Sequence, residues 1–249
     1  LDVERVFDHS EVMTTTADAQ GRWVLRKIPQ GWYRIVLEAE GFPSRVVRNL
    51  SVTDQPHWQE VNHGLAARGV VSGRVLDDQG NPLEGVEVRF SNIRDRNGEA
   101  YEPPDEPVTK TGADGRFHFD RLPQGSAQIW VRKFSYCRPG LGLDVTAPSS
   151  DVELTMVRSA RLRVVVAFKG QPGSAGYLVE IKPEGGEVVG SWGGNAQLDA
   201  DSQVQFTDIP PGRYIVQGRP NPSTGNDATE PVTLDLKGAR LTEITLEAK

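Results

Sequence analysis

Apolar and polar residues alternate along most of the chain with a period of two, which is typical of β-strands and not of helices. In GVEVRF (85–90), Val86, Val88 and Phe90 fall on one face, and charged residues lie between them. The segment SAQIWVRKF (126–134) alternates in the same way. The pattern therefore predicts an all-β protein.

The middle third of the chain carries the clearest series of such segments, separated by turns rich in Asp, Gly, Asn and Pro. They are GVVSGRVLD (69–77), GVEVRF (85–90), VTKT (108–111), FHFD (117–120), SAQIWVRKF (126–134), GLGLDV (140–145) and DVELTMV (151–157). Seven short strands in about 90 residues predict a mostly antiparallel, Greek-key β-sandwich. The polar stretch 91–107 has no period, and it predicts a long loop that is either functional or mobile.

One motif nearly repeats three times, with glycine (serine in the third copy), an alternating segment and then Ile/Leu-Pro-x-Gly. Its copies are GRWVLRKIPQG (21–31), GRFHFDRLPQG (115–125) and SQVQFTDIPPG (202–212). The prolines recur about every 90 residues, which is the length of a small β-sandwich. Because proline fixes φ and the following glycine allows positive φ, the motif predicts a tight connection between two strands and needs no ligand.

The repeat divides the chain into tandem domains of the same type, at 1–64, 65–158 and 159–249. The second and third are predicted to be seven-stranded sandwiches. The first copy has no counterpart for its earliest strands, so we expect the chain to begin inside that domain. The connections near 56–68 and 157–160 are short, which predicts that neighbouring domains touch.

Charge and composition narrow the function classes. The net charge is −6 and basic residues are interspersed with acidic ones, so we expect no nucleic-acid partner. No apolar run approaches the ~20 residues of a membrane helix, so we expect no membrane insertion. The single cysteine, Cys137, excludes an intrachain disulfide framework and is expected to serve packing.

The sequence GRVLDDQGNPLEGVEV (73–88), followed by T-x-x-D-G-x-F and L-P-x-G, resembles the carboxypeptidase regulatory-like domain. The resemblance is strong over 69–157, fair over 14–55 and weaker over 160–249. It implies an immunoglobulin-like or prealbumin-like sandwich without catalytic residues or a cofactor, found in tandem on secreted, periplasmic or cell-surface bacterial proteins. We therefore expect a spacer or interaction module of a larger extracytoplasmic protein, whose other domains are its partners.

Two alternatives remain from other classes. A carbohydrate-binding module would use exposed indoles, for which Trp32, Trp130 and Trp192 are the candidates, and its partner would be a glycan or a cell-surface protein. Accessory domains of a peptidase would be the second alternative.

Histidine and acidic residues raise the question of a metal site. In PHWQEVNHG (56–64), His57, Glu60 and His63 have spacings that zinc ligands can adopt, but no large catalytic domain accompanies them. We expect this stretch to be an interdomain connector. Aspartates at turns could bind calcium, but isolated Asx turns explain them better. These aspartates are Asp77, Asp78, Asp114 and Asp201.

Overall fold

The computed structural model of the protein describes residues 2–5, 12–53, 62–137, 142–168, 177–185, 194–220 and 228–248. Within these ranges all regular elements are β-strands, arranged in five sheets. The prediction of an all-β protein built from β-sandwiches is confirmed. The described ranges contain no helix long and apolar enough to cross a membrane.

The first sheet, named the N-terminal sheet, has the antiparallel order β2-β1-β3-β4. Its strands are β1 (Asp2–Arg5), β2 (Val12–Thr14), β3 (Gly31–Leu37) and β4 (Arg45–Val52). Tyr33, Ile35 and Leu37 alternate along β3 and are buried on one face, where Trp23 and Leu25 pack against them. The sequence pattern did not predict β1 and β2.

Two sheets form the middle sandwich, with orders β10-β12-β5-β8 and β11-β9-β6-β7. The strands are β5 (Arg68–Asp77), β6 (Glu87–Asp95), β7 (Val108–Lys110), β8 (Arg116–Pro123), β9 (Gly125–Arg132), β10 (Tyr136–Cys137), β11 (Leu143–Ala147) and β12 (Ser149–Arg158). The core lies between the sheets, where the Phe90 and Phe119 rings stack with centroids 4.9 Å apart. Val88, Ile129 and Met156 are buried beside them, so the predicted inward faces are correct.

The C-terminal sandwich repeats this plan with sheets β16-β13-β19 and β15-β14-β17-β18. Its strands are β13 (Ala160–Phe168), β14 (Tyr177–Pro183), β15 (Gly194–Gln197), β16 (Gln203–Ile209), β17 (Gly212–Pro220), β18 (Val232–Leu236) and β19 (Leu241–Ala248). In both sandwiches the first and last strands pair in parallel, as β5 with β12 and β13 with β19. The other strand pairs in the described ranges are antiparallel.

The middle sandwich differs from its prediction in two respects. It has an additional two-residue strand, β10, and β6 extends through Asp95, so the predicted loop at 91–107 begins five residues too early. Asn92 has a φ of 49° at a register shift in β6, after which Ile93 and Asp95 are buried. A β-bulge of this kind breaks the period of two, which explains why the pattern hides the strand.

Candidate functional site

The Ile/Leu-Pro-x-Gly motif joins β8 to β9 and β16 to β17, as predicted. In the first copy it leads into β3, but residues 15–30 form no strand, so the predicted tight connection between two strands is wrong for that copy. Gly125 and Gly212 adopt φ values of 148° and 156°, whereas Gly31 does not have a positive φ. A Cβ at Gly125 would lie 2.1 Å from the carbonyl oxygen of Arg94, so a side chain cannot fit there. These contacts are internal to the sandwich, and they identify the motif as a folding device.

A second set of internal contacts lies in the middle sandwich. It joins the segment GRVLDDQGNPLEGVEV (73–88) to the T-x-x-D-G-x-F segment that follows it. The buried Thr111 hydroxyl donates to the Leu83 carbonyl oxygen at 2.6 Å and accepts from the Val86 amide at 2.9 Å. Gly115, with φ 72°, lies so close that a Cβ would be 2.6 Å from the Val75 carbonyl oxygen. The threonine and the glycine of T-x-x-D-G-x-F are therefore required by packing.

Aspartate carboxylates close a recurring turn of the form D-x-x-G. The Asp77 Oδ1 accepts from the amides of Gln79 at 2.9 Å and Asn81 at 2.8 Å. The Asn81 side-chain amide and these backbone bonds hold the pKa of Asp77 below its usual range. The same two bonds occur at Asp18, Asp95 and Asp199.

The third copy keeps this turn although its glycine is missing. Asp199 supplies the carboxylate, and Ser202 takes the position of the glycine with φ 59°. The turn residue expected from the sequence, Asp201, instead donates its amide to Asp199. Among the described residues no group of three or more His, Cys, Asp or Glu could hold a metal ion.

The candidate metal ligands of the connector are only partly covered by the structure. His57 and Glu60 lie outside the described residues, and His63 is exposed. The expectation that this stretch is an interdomain connector without a metal stays a prediction.

Of the tryptophans predicted to bind a ligand, Trp192 lies outside the described residues. Trp32 lies on β3 of the N-terminal sheet and is 48% exposed, and Trp130 lies on β9 and is 43% exposed. Trp130 donates from Nε1 to Ser91 Oγ at 2.9 Å and to Gln128 Oε1 at 3.2 Å. The two described indoles belong to different sheets, and the bonded side chains of Ser91 and Gln128 lie beside Trp130.

The side chain of Arg45, which is only 9% exposed, joins the N-terminal sheet to the middle sandwich. Its guanidinium donates to the carbonyl oxygens of Gly64 at 3.2 Å and Ala100 at 3.4 Å. It also lies 5.4 Å from the centroid of the Tyr101 ring and 3.6 Å from a Glu99 carboxylate oxygen. The Arg45 guanidinium thus forms hydrogen bonds with both the connector and the predicted loop.

The predicted loop provides the other half of this contact. Tyr101, 4% exposed, donates its hydroxyl to the Pro43 carbonyl oxygen at 2.5 Å, and burial raises the pKa of Tyr101 to about 12. The Val46 amide donates to the Glu102 carbonyl oxygen at 2.7 Å. Sequence reasoning missed these residues. The signal in the sequence that could have identified them is a single tyrosine in the otherwise polar stretch 91–107.

The middle and C-terminal sandwiches are joined at Ser159, which is 5% exposed. Its amide donates to the Ser135 carbonyl oxygen of the middle sandwich at 2.9 Å, and its own carbonyl accepts from Ala239 of the C-terminal sandwich at 2.9 Å. Gly238 approaches so closely that a Cβ would lie 2.3 Å from the Arg158 carbonyl oxygen. The backbones of the two sandwiches are therefore in direct contact.

Beside this junction lies a cleft of about 740 Å³. It is lined by the Asp77 turn and Arg158 from one side, and by Pro211 and the segment 235–239 from the other. Cys137 lies at the same junction. The pKa of its thiol is raised to about 11, mainly by burial and to a smaller extent by the nearby Asp208 carboxylate. A thiol in this state is protonated at neutral pH, which disfavours its use as a nucleophile.

The similarity of the chain to known proteins is limited in both sequence and structure. A search of curated proteins finds no match. Among solved structures, a streptococcal ancillary pilin is 14% identical over 89% of this chain and 76% of its own, with a TM-score of 0.39. The minor pilin of Streptococcus agalactiae is 11% identical over 72% of this chain and 95% of its own, with a TM-score of 0.35. A shaft pilin variant of Lactobacillus rhamnosus GG has a TM-score of 0.32 at 11% identity, over 73% of this chain and 97% of its own.

These structural likenesses are too distant to carry a functional argument. The family comparison is more specific, because the matched segment, 70–158, includes Thr111 and Gly115, whose packing contacts are described above. The matched family is a regulatory-like domain and not a peptidase. The resemblance expected from the sequence is thereby confirmed: residues 70–158 match the carboxypeptidase regulatory-like domain.

Proposed function

We propose that the chain is a non-catalytic structural spacer of a larger extracytoplasmic protein, in which bonded junctions hold β-sandwich domains in a fixed relation. The domains of the proposal are 1–64, 65–158 and 159–249. The other domains of the parent protein are its partners. The observation that carries the proposal is the buried Arg45 contact.

Arg45 favours a fixed junction because of its burial and its partners. A guanidinium withdrawn from water loses hydration free energy unless its donors are bonded, and here they meet two carbonyl oxygens on different parts of the chain. Swinging the N-terminal sheet away from the middle sandwich would break the bond to Ala100 and the contact with Tyr101. An arrangement in which the N-terminal sheet is tilted away from the middle sandwich is therefore disfavoured.

The connector itself supports the same conclusion. Leu65 packs against the core of the N-terminal sheet, whereas the next residue, Ala66, packs against the core of the middle sandwich. A connector whose neighbouring residues are fixed in two different cores has little freedom to bend. The backbone bonds of Ser159 give the second junction an equivalent restraint.

A distance measurement between spin labels tests this proposal. Cysteines replace the exposed Gln20 and Gln79 in a Cys137→Ser background, and double electron–electron resonance reports the distance across the first junction. We expect a narrow distribution that broadens in Arg45→Ala. A broad distribution already present with Arg45 intact would refute the spacer.

A matched control separates the junction from general surface effects. Arg48 pairs with Glu102 at the same boundary, but its side chain is 51% exposed, so Arg48→Ala should leave the distribution narrow. Gly238→Ala should broaden only distances measured across the second junction.

A further inference from the structure

The outward face of the sheet β11-β9-β6-β7 carries an indole near its centre. Trp130 lies on β9, an inner strand of the sheet, with Arg89 of β6 directly opposite in the strand pairing. Its side chain is 43% exposed although the face around it is otherwise polar. A single exposed aromatic side chain is common on protein surfaces, so what distinguishes this position is the set of contacts that hold the indole.

Hydrogen bonds fix the orientation of this indole. Besides the bonds from Trp130 to Ser91 and Gln128, the side-chain oxygen Oε1 of Gln128 accepts from Asn92 Nδ2 at 3.2 Å. The side-chain nitrogen Nε2 of Gln128 in turn donates to Asp144 Oδ1 at 3.3 Å. The polar side chains thus form a connected frame around an aromatic ring on a rigid sheet, which is an arrangement suited to binding.

The backbone of Gly142 supports the frame from one side. A Cβ at Gly142 would lie 2.6 Å from Gln128 Cγ and 2.9 Å from Trp130 Cε2. Because a larger residue would displace the indole, the glycine keeps the ring in position. The indole is held by contacts on that side and remains 43% exposed.

The cation opposite the indole is already paired. Arg89 pairs with Glu87 at 2.9 Å and also with Glu106. Asp144 is an exposed carboxylate that accepts a hydrogen bond from the neutral Gln128 side chain. An anionic ligand would have to compete for Arg89 and would be repelled by Asp144, whereas a neutral ligand would not. The face therefore favours an uncharged ligand over an anionic one, in particular one that combines an apolar surface with hydroxyl groups.

We propose that Trp130 is the stacking platform of a binding site for a neutral, β-linked glucose-type polysaccharide. A β-glucopyranose ring with equatorial hydroxyls offers an apolar C–H face to the indole and directs its hydroxyls outward in the ring plane. Ser91, Asn92 and Gln128 lie around the indole and supply donors and acceptors for those hydroxyls. A β-1,4-linked chain is extended, so it can follow the open sheet face.

Isothermal titration calorimetry of the full chain with cellohexaose tests the site. We expect saturable binding by the wild type, and an affinity at least about tenfold weaker for Trp130→Ala, since base-stacking on an aromatic ring, which is physically comparable, contributes at this level. Ser91→Ala should weaken binding by about two- to fivefold, because it removes one neutral hydrogen bond that orients the ring. Circular dichroism verifies that each variant is folded.

Trp32→Ala is the matched control, because Trp32 is equally exposed but lies on the N-terminal sheet. It should bind cellohexaose as the wild type does. The absence of binding by the wild type, or equal affinity of Trp130→Ala and the wild type, would overturn the proposal. Equal binding of maltohexaose would overturn the β-linked assignment. The inference does not depend on the spacer proposal, since none of these substitutions touches Arg45 or Ser159.

Discussion

The Tyr214 hydroxyl donates to the Pro210 carbonyl oxygen at 2.9 Å, four residues earlier in the chain. Tyr33 makes the same bond to Pro29 at 2.7 Å, whereas the middle sandwich has Ala127 at the corresponding position. The tyrosine therefore accompanies the Ile-Pro-x-Gly turn in two of three copies and anchors it to the core below. The middle copy reaches the same turn without it.

Tyr214→Phe should destabilise the C-terminal sandwich by about 1–2 kcal/mol, because the ring is kept while the buried Pro210 carbonyl oxygen loses its donor. Urea unfolding measures the change. Tyr136→Phe is the control, since the Tyr136 hydroxyl makes no hydrogen bond with the described residues, and it should change stability little. Equal effects of the two substitutions would contradict the anchoring role.

Arg45→Met should destabilise the protein by about 1–3 kcal/mol, because the carbonyl oxygens of Gly64 and Ala100 lose a charged donor at a buried site. We expect the N-terminal sheet to lose protection in hydrogen exchange before the rest of the protein does. The exposed pair of Arg48 and Glu102 is the comparison, and Arg48→Met should cost less than about 1 kcal/mol. If Arg48→Met is the more harmful change, the junction has been misidentified.

Ser202→Gly should stabilise the C-terminal sandwich by up to about 1 kcal/mol, because Ser202 has a φ of 59° that costs less for glycine. The reverse change at the equivalent turn, Gly80→Ser, should be destabilising, since Gly80 has a φ of 83°. Thermal unfolding of both variants measures the effect. A loss of stability in Ser202→Gly would show that the turn geometry differs from that of Gly80.

Acid should weaken the turn at Asp77. Its pKa lies below the usual value when the protein is folded, so the carboxylate contributes stability that is complete above its unfolded pKa of about 3.9 and is lost as the pH falls through the folded pKa. The stability difference between the wild type and Asp77→Ala should therefore shrink as urea unfolding is repeated at lower pH. Asp78→Ala, beside it on the exposed turn, is the control and should lower stability less at neutral pH, because the amides of the turn donate to Asp77. A difference that stays constant with pH would argue against the charged form as the stabilising species.

Alkylation should be slow at Cys137. With a pKa of about 11, its thiol at pH 8 should react with iodoacetamide at least about tenfold more slowly than the same thiol in the urea-unfolded chain. Mass spectrometry over time gives both rates. Equal rates would mean that the second junction opens readily.

The strands could be predicted from sequence where their faces differ in polarity, as for β9 with Ala127 and Ile129 inward. Prediction failed at Asn92, because a β-bulge shifts the inward positions by one residue and the period is lost. The Arg45 contact could not be predicted either, because its partners lie at 64 and 99–102 and come together only after the sheets form. For Trp130, sequence gave the residue but not the frame of Ser91 and Gln128, which depends on strand register.

The parallel pairing of β13 with β19 has a mechanical consequence. The chain enters the C-terminal sandwich at the start of β13 and leaves β19 at its far end, so tension applied at these two points acts along the strands in opposite directions. All hydrogen bonds of the pair, from Arg161–Leu241 to Phe168–Ala248, are then loaded together in shear and are not opened one after another. The parallel pair of β5 and β12 places the middle sandwich under the same loading, which would let a pulled chain resist extension at each sandwich in turn.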